Sequence, residues 1–90
     1  MRQLYSSQFK KDIVRSVANG KDILKLEKIV ENISANQNLP NQYQDKLFFS
    51  ANYPSRRKCH IEADWFLIYK KQDNMVIFER VGSQSDLTKS

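Results

Sequence analysis

The sequence predicts an α+β fold in which two N-terminal helices pack on a small, mostly antiparallel sheet, in the order β-α-α-β-β-β. Apolar residues recur at helical spacing in two segments of the first third, whereas the last third contains runs typical of strands. The chain has 90 residues, 40% of them hydrophobic, with only two glycines and two prolines. This composition argues against disorder, and the length predicts a single domain, 1–90.

The first third is predicted to contain a short strand and two helices. Residues 2–5 suit a strand, and Ser6 or Ser7 can cap the helix that follows. Gly20 suits a left-handed end to that helix, and Asp22 can cap the next one. The first apolar stripe consists of Phe9, Ile13 and Val17. The second consists of Ile23, Leu26, Ile29 or Val30, and Ile33.

The segment 34–53 loses the helical period, and Leu39-Pro40 predicts an extended or turn conformation within it. Further along, we expect the segment 47–49 to fold back against the body. Three strands follow in the last third, and a turn at 72–74 joins the last two into a hairpin. Residues 65–69 are apolar on both faces, which predicts a central strand covered by the helices. The alternation over 76–79 predicts that the last strand lies nearer an edge.

Composition narrows the class of partner. Fifteen Lys and Arg against ten Asp and Glu give a net charge of +5, which favours an anionic partner: nucleic acid, acidic protein or a membrane surface. A lone cysteine, Cys59, excludes an internal disulfide, and a single histidine leaves no metal-ligand cluster. We find neither a signal peptide nor a membrane-spanning segment, and therefore expect a soluble cytoplasmic protein.

Basic residues concentrate in one segment. Between Lys46 and Lys58 there are four basic residues and no acidic one, with Tyr53 among them. Basic side chains bind phosphates and aromatic faces stack on bases, so the segment suits RNA. The alternative is that Arg56, Arg57 and Lys58 are charges that protect an edge strand from aggregation.

Single residues of the last third are ambiguous when taken alone. His60 belongs to the residue type that exchanges protons near neutral pH, but an isolated histidine can equally be structural. Asp64 suits turn capping, and Trp65 suits the core. Arg80 lies in an apolar strand and needs a carboxylate, a phosphate or water. Cys59 is expected to pack rather than react, since strand neighbours point to opposite faces.

Two C-terminal strings resemble the motifs of one bacterial family. CHIEADWFLIYK (59–70) resembles the HxEPDWLLIY signature of YafQ-type toxins, within the RelE superfamily, and FERVGSQSDL (78–87) resembles their terminal xxRxGTHSDLF. The opening FKKDI (9–13) and the LPNQYQD segment (39–45) also match the family layout, so the resemblance covers essentially the whole chain. It implies a small, metal-free endoribonuclease that enters the ribosomal decoding site and cuts messenger RNA by attack of the ribose 2′-oxygen on the adjacent phosphate.

The resemblance also assigns roles to residues. His60 becomes a proton-transfer or orienting group, Asp64 a base or an orienter of His60, and Trp65 a support or a stacking surface. Arg80 becomes the residue that holds the scissile phosphate. Together with the basic segment, the predicted RNA-binding residues are Arg56, Arg57, Lys58, Trp65 and Tyr53. We expect one RNA-facing surface lined by Lys46, Arg56, Arg57, Lys58 and Arg80.

Three positions depart from the family pattern: Lys46 and Gln84 replace histidines, and Thr88 replaces a phenylalanine. An amide cannot give up a proton near pH 7, and the loss of a general acid typically costs about 10²–10⁴-fold in rate. We therefore add Lys46 and Gln84 to the predicted catalytic residues and expect the chain to have reduced activity. The alternative is a weak or inactive member that binds antitoxin or RNA.

The resemblance implies the partners as well. We expect a cognate antitoxin, messenger RNA and the ribosome, operator DNA only through the antitoxin complex, no membrane, and no metal or cofactor. A third interpretation is a basic α+β domain whose partner is purely a protein.

Overall fold

The computed structural model describes residues 1–48 and 55–88. Its sheet has the strand order β1-β5-β4-β3-β2, with β1 parallel to β5 and the other neighbours antiparallel. The strands are β1 (Arg2–Tyr5), β2 (Lys46–Phe48), β3 (Arg56–Glu62), β4 (Trp65–Gln72) and β5 (Met75–Gly82). The helices are α1 (Ser7–Ala18), α2 (Ile23–Ser34) and α3 (Gln84–Thr88), and a short 3-10 helix spans Asn41–Tyr43. The predicted α+β fold, with two N-terminal helices on the sheet, is confirmed.

Local signals place the two N-terminal helices where the sequence predicts them. The Ser6 hydroxyl accepts a hydrogen bond from the Phe9 N–H, and the Asp22 carboxylate accepts one from the Leu24 N–H. Gly20 has a φ of 78°, the left-handed conformation that ends α1. The α2 stripe is confirmed, with three fully buried members: Leu26, Ile29 and Ile33.

The stripe predicted for α1 is only partly correct. Phe9 is buried, but Val17 is 56% exposed, and the buried positions are Asp12 and Ser16. The reason lies outside the helix, since Arg80 and the Val81 N–H reach the Asp12 carboxylate from β5. The hydrogen bond from Arg80, 68 residues away in the sequence, therefore holds Asp12 on the buried side of α1. That side does not coincide with the predicted apolar stripe.

Two clusters of apolar side chains lie on opposite faces of the sheet. The larger one packs against α1 and α2 and includes Trp65, Leu67 and Tyr69. The smaller one consists of Phe66, Ile68 and Leu87, with Phe48 at its margin. Because β4 contributes to both clusters, it is buried on both faces, as a central strand should be.

The last strand, β5, lies nearer an edge of the sheet than the central strand β4, as the sequence predicts. It is not itself an edge strand, because β1 pairs alongside it in parallel. The pairing with β4 shifts where Ile68 faces Arg80 and Tyr69 faces Phe78, so Glu79 is an extra residue in a β-bulge. Phe78 and Val81 consequently both enter the larger cluster although they are three residues apart.

Two elements are not predicted as such by the sequence. The strand β2 contains part of the segment that we expected to fold back, and it pairs with β3 at the other edge of the sheet. Phe49, also in that segment, lies outside the described residues. The helix α3 begins after a reciprocal cap, in which Ser83 N–H donates to the Asp86 carboxylate and Asp86 N–H donates to the Ser83 hydroxyl, both at 3.1 Å.

The described part of the chain contains no helix that is long and apolar enough to cross a membrane.

Candidate functional site

A cleft of about 240 Å³ opens beside the edge of the sheet formed by β2 and β3. The antiparallel register places Lys46 directly opposite Lys58. The strand period of two then places His60 on the same face as Lys58. The residues that line the cleft are Gln44, Lys46, Leu47, Phe48, Lys58 and His60. Two cations and the only histidine of the chain therefore meet at one opening.

Lys58 is held in a defined position within this cleft. Its Nζ donates a hydrogen bond to Gln84 Oε1 at 3.0 Å and lies 4.4 Å from the ring centre of Phe66 and 5.0 Å from that of Phe48. Cation–π contacts of this length orient an ammonium group. Partial burial lowers the pKa of Lys58 from its ordinary value, because desolvation disfavours the charged form.

The His60 imidazole packs edge-on against Phe66, with ring centres 4.7 Å apart and planes inclined by 72°. Phe66 is the cross-strand neighbour of His60, so the register of β3 and β4 fixes the contact. The imidazole is half-buried and still borders the cleft. This arrangement leaves a proton-exchanging group beside two lysines.

Gln84 enters the site from α3, and Asp64 holds it there. Asp64 Oδ1 accepts a hydrogen bond from the Gln84 N–H at 3.0 Å. In the described part of the chain, the Asp64 carboxylate is thus bonded to α3 and not to His60. The contact ties the turn between β3 and β4 to the start of α3, and it brings the Gln84 side chain to Lys58.

Arg80 does not lie on an exposed surface, and that part of the prediction is wrong. It is 6% exposed, and its Nε donates to Asp12 Oδ2 at 2.8 Å while its Nη2 lies 3.3 Å from Asp12 Oδ1. The carboxylate that Arg80 requires is therefore supplied by α1. No local pattern in the sequence indicates this pair, since a carboxylate in a helix is usually solvated.

The three consecutive basic residues do not share one surface. Strand alternation turns Arg57 to the side of α1 and α2, where its Nε donates to Asp45 Oδ1 at 3.2 Å. The Tyr69 hydroxyl donates to the other oxygen of Asp45 at 2.7 Å, and burial followed by this bond raises the pKa of Tyr69. Arg56 lies on the opposite face from Arg57 and forms a salt bridge with Glu79. The predicted single surface is therefore wrong for Arg57 as well as for Arg80.

Two predicted RNA-binding aromatic residues are not part of the observed cleft. Trp65 is 1% exposed and belongs to the larger cluster, so its ring is not available to stack on a base and acts as a support. Tyr53 lies outside the described residues. Phe48 and Phe66 instead provide the aromatic rings next to Lys58.

Comparison with known proteins shows the family to which the chain belongs. The model of a family described as "Bacterial toxin of type II toxin-antitoxin system, YafQ" matches residues 1–89. The chain belongs to the YafQ toxin family. It is 37% identical over 84 residues to the mRNA interferase toxin YafQ of Escherichia coli strain B/BL21-DE3, covering 92% of this chain and 90% of that protein.

Solved YafQ structures have the same fold. The crystal structure of YafQ from E. coli BL21(DE3) is similar with a TM-score of 0.91 and 37% identity, covering 97% of this chain and 98% of that one. YafQ in the E. coli DinJ–YafQ complex is similar with a TM-score of 0.87 and 36% identity, over the same shares of the two chains.

Sequence reasoning missed Gln44 and the helix α3 at this candidate site. Gln44 lines the cleft from a left-handed conformation with a φ of 47°, and a glutamine in such a loop carries no signal in the sequence. The helix that carries Gln84 could have been found, because Ser83 and Asp86 form a recognisable capping box. Among the described residues, no three His, Cys, Asp or Glu side chains are grouped so that they could hold a metal ion.

Proposed function

We propose that this chain is the toxin of a type II toxin–antitoxin system and cleaves messenger RNA on the ribosome. The observation that carries the proposal is the cleft in which Lys46, Lys58 and His60 meet on one face of the sheet. Opposed lysines attract a phosphodiester, and a histidine beside them can move a proton. The relatives that share the fold are named mRNA interferase toxins, which supports the same activity here.

The proposed reaction uses the side chains of the cleft and the RNA itself. His60 removes the proton of the ribose 2′-hydroxyl, and the 2′-oxygen attacks the adjacent phosphorus. Lys46 and the side-chain amide of Gln84 stabilise the charge that develops on the phosphate oxygens. The products are a 2′,3′-cyclic phosphate and a free 5′-hydroxyl.

We propose that Arg80 and Asp64 position this machinery. The Asp12–Arg80 pair anchors the end of β5, since Asp12 also accepts the Val81 N–H at 3.1 Å. The chain reaches Gln84 only three residues later, and Asp64 then fixes the backbone of Gln84. Both contacts determine where the amide of Gln84 lies.

The partners follow from the family. We propose that the chain acts as one toxin domain in the bacterial cytoplasm, where messages and ribosomes are found. A cognate antitoxin would bind and neutralise it, a proposal supported by the toxin–antitoxin complex that the E. coli relative YafQ forms with DinJ. Operator DNA would be bound only through the antitoxin.

The test uses the purified chain and ribosomes that carry an end-labelled message with a defined codon in the decoding site. The parent should cleave the message, and His60→Gln should reduce the single-turnover rate by about 10²–10⁴-fold. Lys28→Ala, which removes a charge from the exposed side of α2, is the matched control and should cleave at the parental rate. Equal rates for the parent and His60→Gln would refute the role of His60.

One observation favours a second function, that of an inactive binding module. Gln84 cannot donate a proton, although the family pattern has a histidine there. Gln84→His should increase both message cleavage and growth arrest if the chain is a weakened enzyme. If neither the parent nor Gln84→His cleaves ribosome-bound message, while the parent still binds its antitoxin, the binding module is correct.

A further inference from the structure

The cleavage proposed above still lacks a proton donor for the leaving group. When the bond between phosphorus and the 5′-oxygen breaks, the departing oxygen needs a proton, and an amide at position 84 cannot supply it. His60 is already assigned to the 2′-hydroxyl. The proton donor must therefore be another acidic group that lies next to the Gln84 side chain.

We propose that Lys58 donates the proton to the leaving 5′-oxygen and that Gln84 holds the Lys58 ammonium in place for this step. The proposal rests on the RNA cleavage proposed above. The geometric basis is the 3.0 Å hydrogen bond from Lys58 Nζ to Gln84 Oε1, which places the ammonium one hydrogen bond away from the position of the missing histidine.

The surroundings of Lys58 favour this role over a purely electrostatic one. An ammonium group has three N–H donors, and within the described residues one of them is used by Gln84. The rings of Phe48 and Phe66 flank Nζ at 5.0 and 4.4 Å, which restricts where the remaining donors can point. The cleft is the open side, so an N–H is available to a substrate there.

Proton release is easier from Lys58 than from a solvated lysine. Burial lowers the pKa of Lys58, and a donor whose pKa is closer to the working pH transfers its proton more readily. Lys46, its cross-strand neighbour, is exposed, whereas Lys58 is half-buried. Because of this difference, we assign proton donation to Lys58 and phosphate binding to Lys46.

The proposed step is balanced in bonds and protons. The bond between phosphorus and the 2′-oxygen forms while the bond between phosphorus and the 5′-oxygen breaks. His60 takes the 2′ proton and becomes an imidazolium, and Lys58 gives one proton to the 5′-oxygen and becomes a neutral amine. Exchange with water then restores both groups.

A sulfur substitution at the leaving oxygen tests the assignment. A ribosome-bound message in which sulfur replaces the bridging 5′-oxygen has a leaving group that departs without protonation. Lys58→Met should therefore slow cleavage of the oxygen message by about 10²–10⁴-fold and cleavage of the sulfur message by less than about tenfold. Lys46→Met, which removes the same charge from the same cleft, is the matched control and should slow both messages equally.

Lys58→Arg distinguishes loss of the proton donor from a folding defect, because the arginine side chain keeps the positive charge but is a far weaker acid. It should be slow on the oxygen message and nearly as fast as the parent on the sulfur message. Equal losses on both messages for Lys58→Met and Lys58→Arg would overturn the proton-donor role while leaving the RNA cleavage intact. A parent that cleaves neither message would overturn the cleavage itself, and the role of Lys58 with it.

Discussion

Replacing Asp12 by asparagine tests whether the buried ion pair anchors the end of β5. The Asp12 carboxylate has no exposed surface and accepts hydrogen bonds from four residues. The distances from its oxygens are 2.8 Å to Arg80 Nε, 3.1 Å to the Val81 N–H, 2.9 Å to Arg15 Nη2 and 3.1 Å to Gln8 Nε2. Asparagine has nearly the same shape, but it offers one oxygen and turns an NH₂ group toward these donors.

The expected loss in the free energy of unfolding is large. Removing one partner of a buried ion pair typically costs about 3–5 kcal/mol, because a charge stays buried after its partner is removed. Arg80 is the buried charge that would lose the Asp12 carboxylate here. For a chain of this size, 1 kcal/mol shifts Tm by roughly 4–8 °C, so Tm should fall by at least about 12 °C.

Urea denaturation of the two proteins measures this loss. The matched control is Glu62→Gln, which breaks the 2.9 Å pair between Lys25 and Glu62, whose side chains are 52% and 35% exposed. Such an exposed pair contributes about 0.2–1 kcal/mol at most. A stability change for Asp12→Asn as small as that of Glu62→Gln would refute the reasoning.

The same pair predicts a dependence on pH. Burial alone would raise the pKa of Asp12, but the hydrogen bonds from Arg80, Gln8 and the Val81 N–H outweigh it, and the pKa lies below the ordinary value of 3.8. The stabilisation is therefore present above about pH 3.8 and is lost as pH falls through the lower pKa of the folded state. Below pH 4 the stability of Asp12→Asn should accordingly fall less steeply with acid than that of the parent.

Two further substitutions probe how α3 is joined to β5. A Cβ at Gly82 would lie 2.9 Å from Asp86 Cβ and 3.1 Å from Arg15 Nη2, so Gly82→Ala should destabilise the fold by roughly 1–3 kcal/mol, measured by thermal denaturation. A parental Tm would contradict the close approach. Ser83→Ala removes the side-chain half of the α3 cap and should cost about 0.5–2 kcal/mol in urea, whereas Ser83→Thr keeps the hydroxyl and should restore most of it.

Features with local causes could be predicted from the sequence. The caps at Ser6 and Asp22 each depend on a backbone N–H two or three residues ahead, and the left-handed end of α1 depends on Gly20 itself. The two-residue loop between β4 and β5 likewise follows from an Asp-Asn pair between two apolar runs. In each case the residues that determine the structure are neighbours in the chain.

Features with distant causes could not be predicted in this way. The burial of Asp12 depends on Arg80, and the interior position of β5 depends on β1 at the other end of the chain. The three residues of β2 are a strand only because β3 pairs with them. By contrast, the separation of Arg57 from Arg56 and Lys58 follows from strand alternation alone.

The candidate site could be predicted in part, because the family resemblance identifies residues but not their contacts. His60, Lys46 and Gln84 are indicated by the positions they occupy in the motifs. Lys58 is indicated only as one member of a basic run, and its hydrogen bond to Gln84 joins residues 26 positions apart. Because of that contact, Lys58 is a specific candidate for proton transfer and not only one of several positive charges.

The smaller apolar cluster connects the stability of the fold with the geometry of the candidate site. Leu87 on α3 packs with Phe66 and Ile68, and Phe66 also contacts both Lys58 and the His60 ring. The packing that holds α3 on the sheet is therefore the same packing that orients Lys58 and His60, the two groups to which we propose to assign proton transfer. If the chain cleaves RNA as proposed, a substitution that weakens the packing of Leu87 should slow cleavage although Leu87 is itself buried, because Gln84 and Phe66 would no longer be held around Lys58.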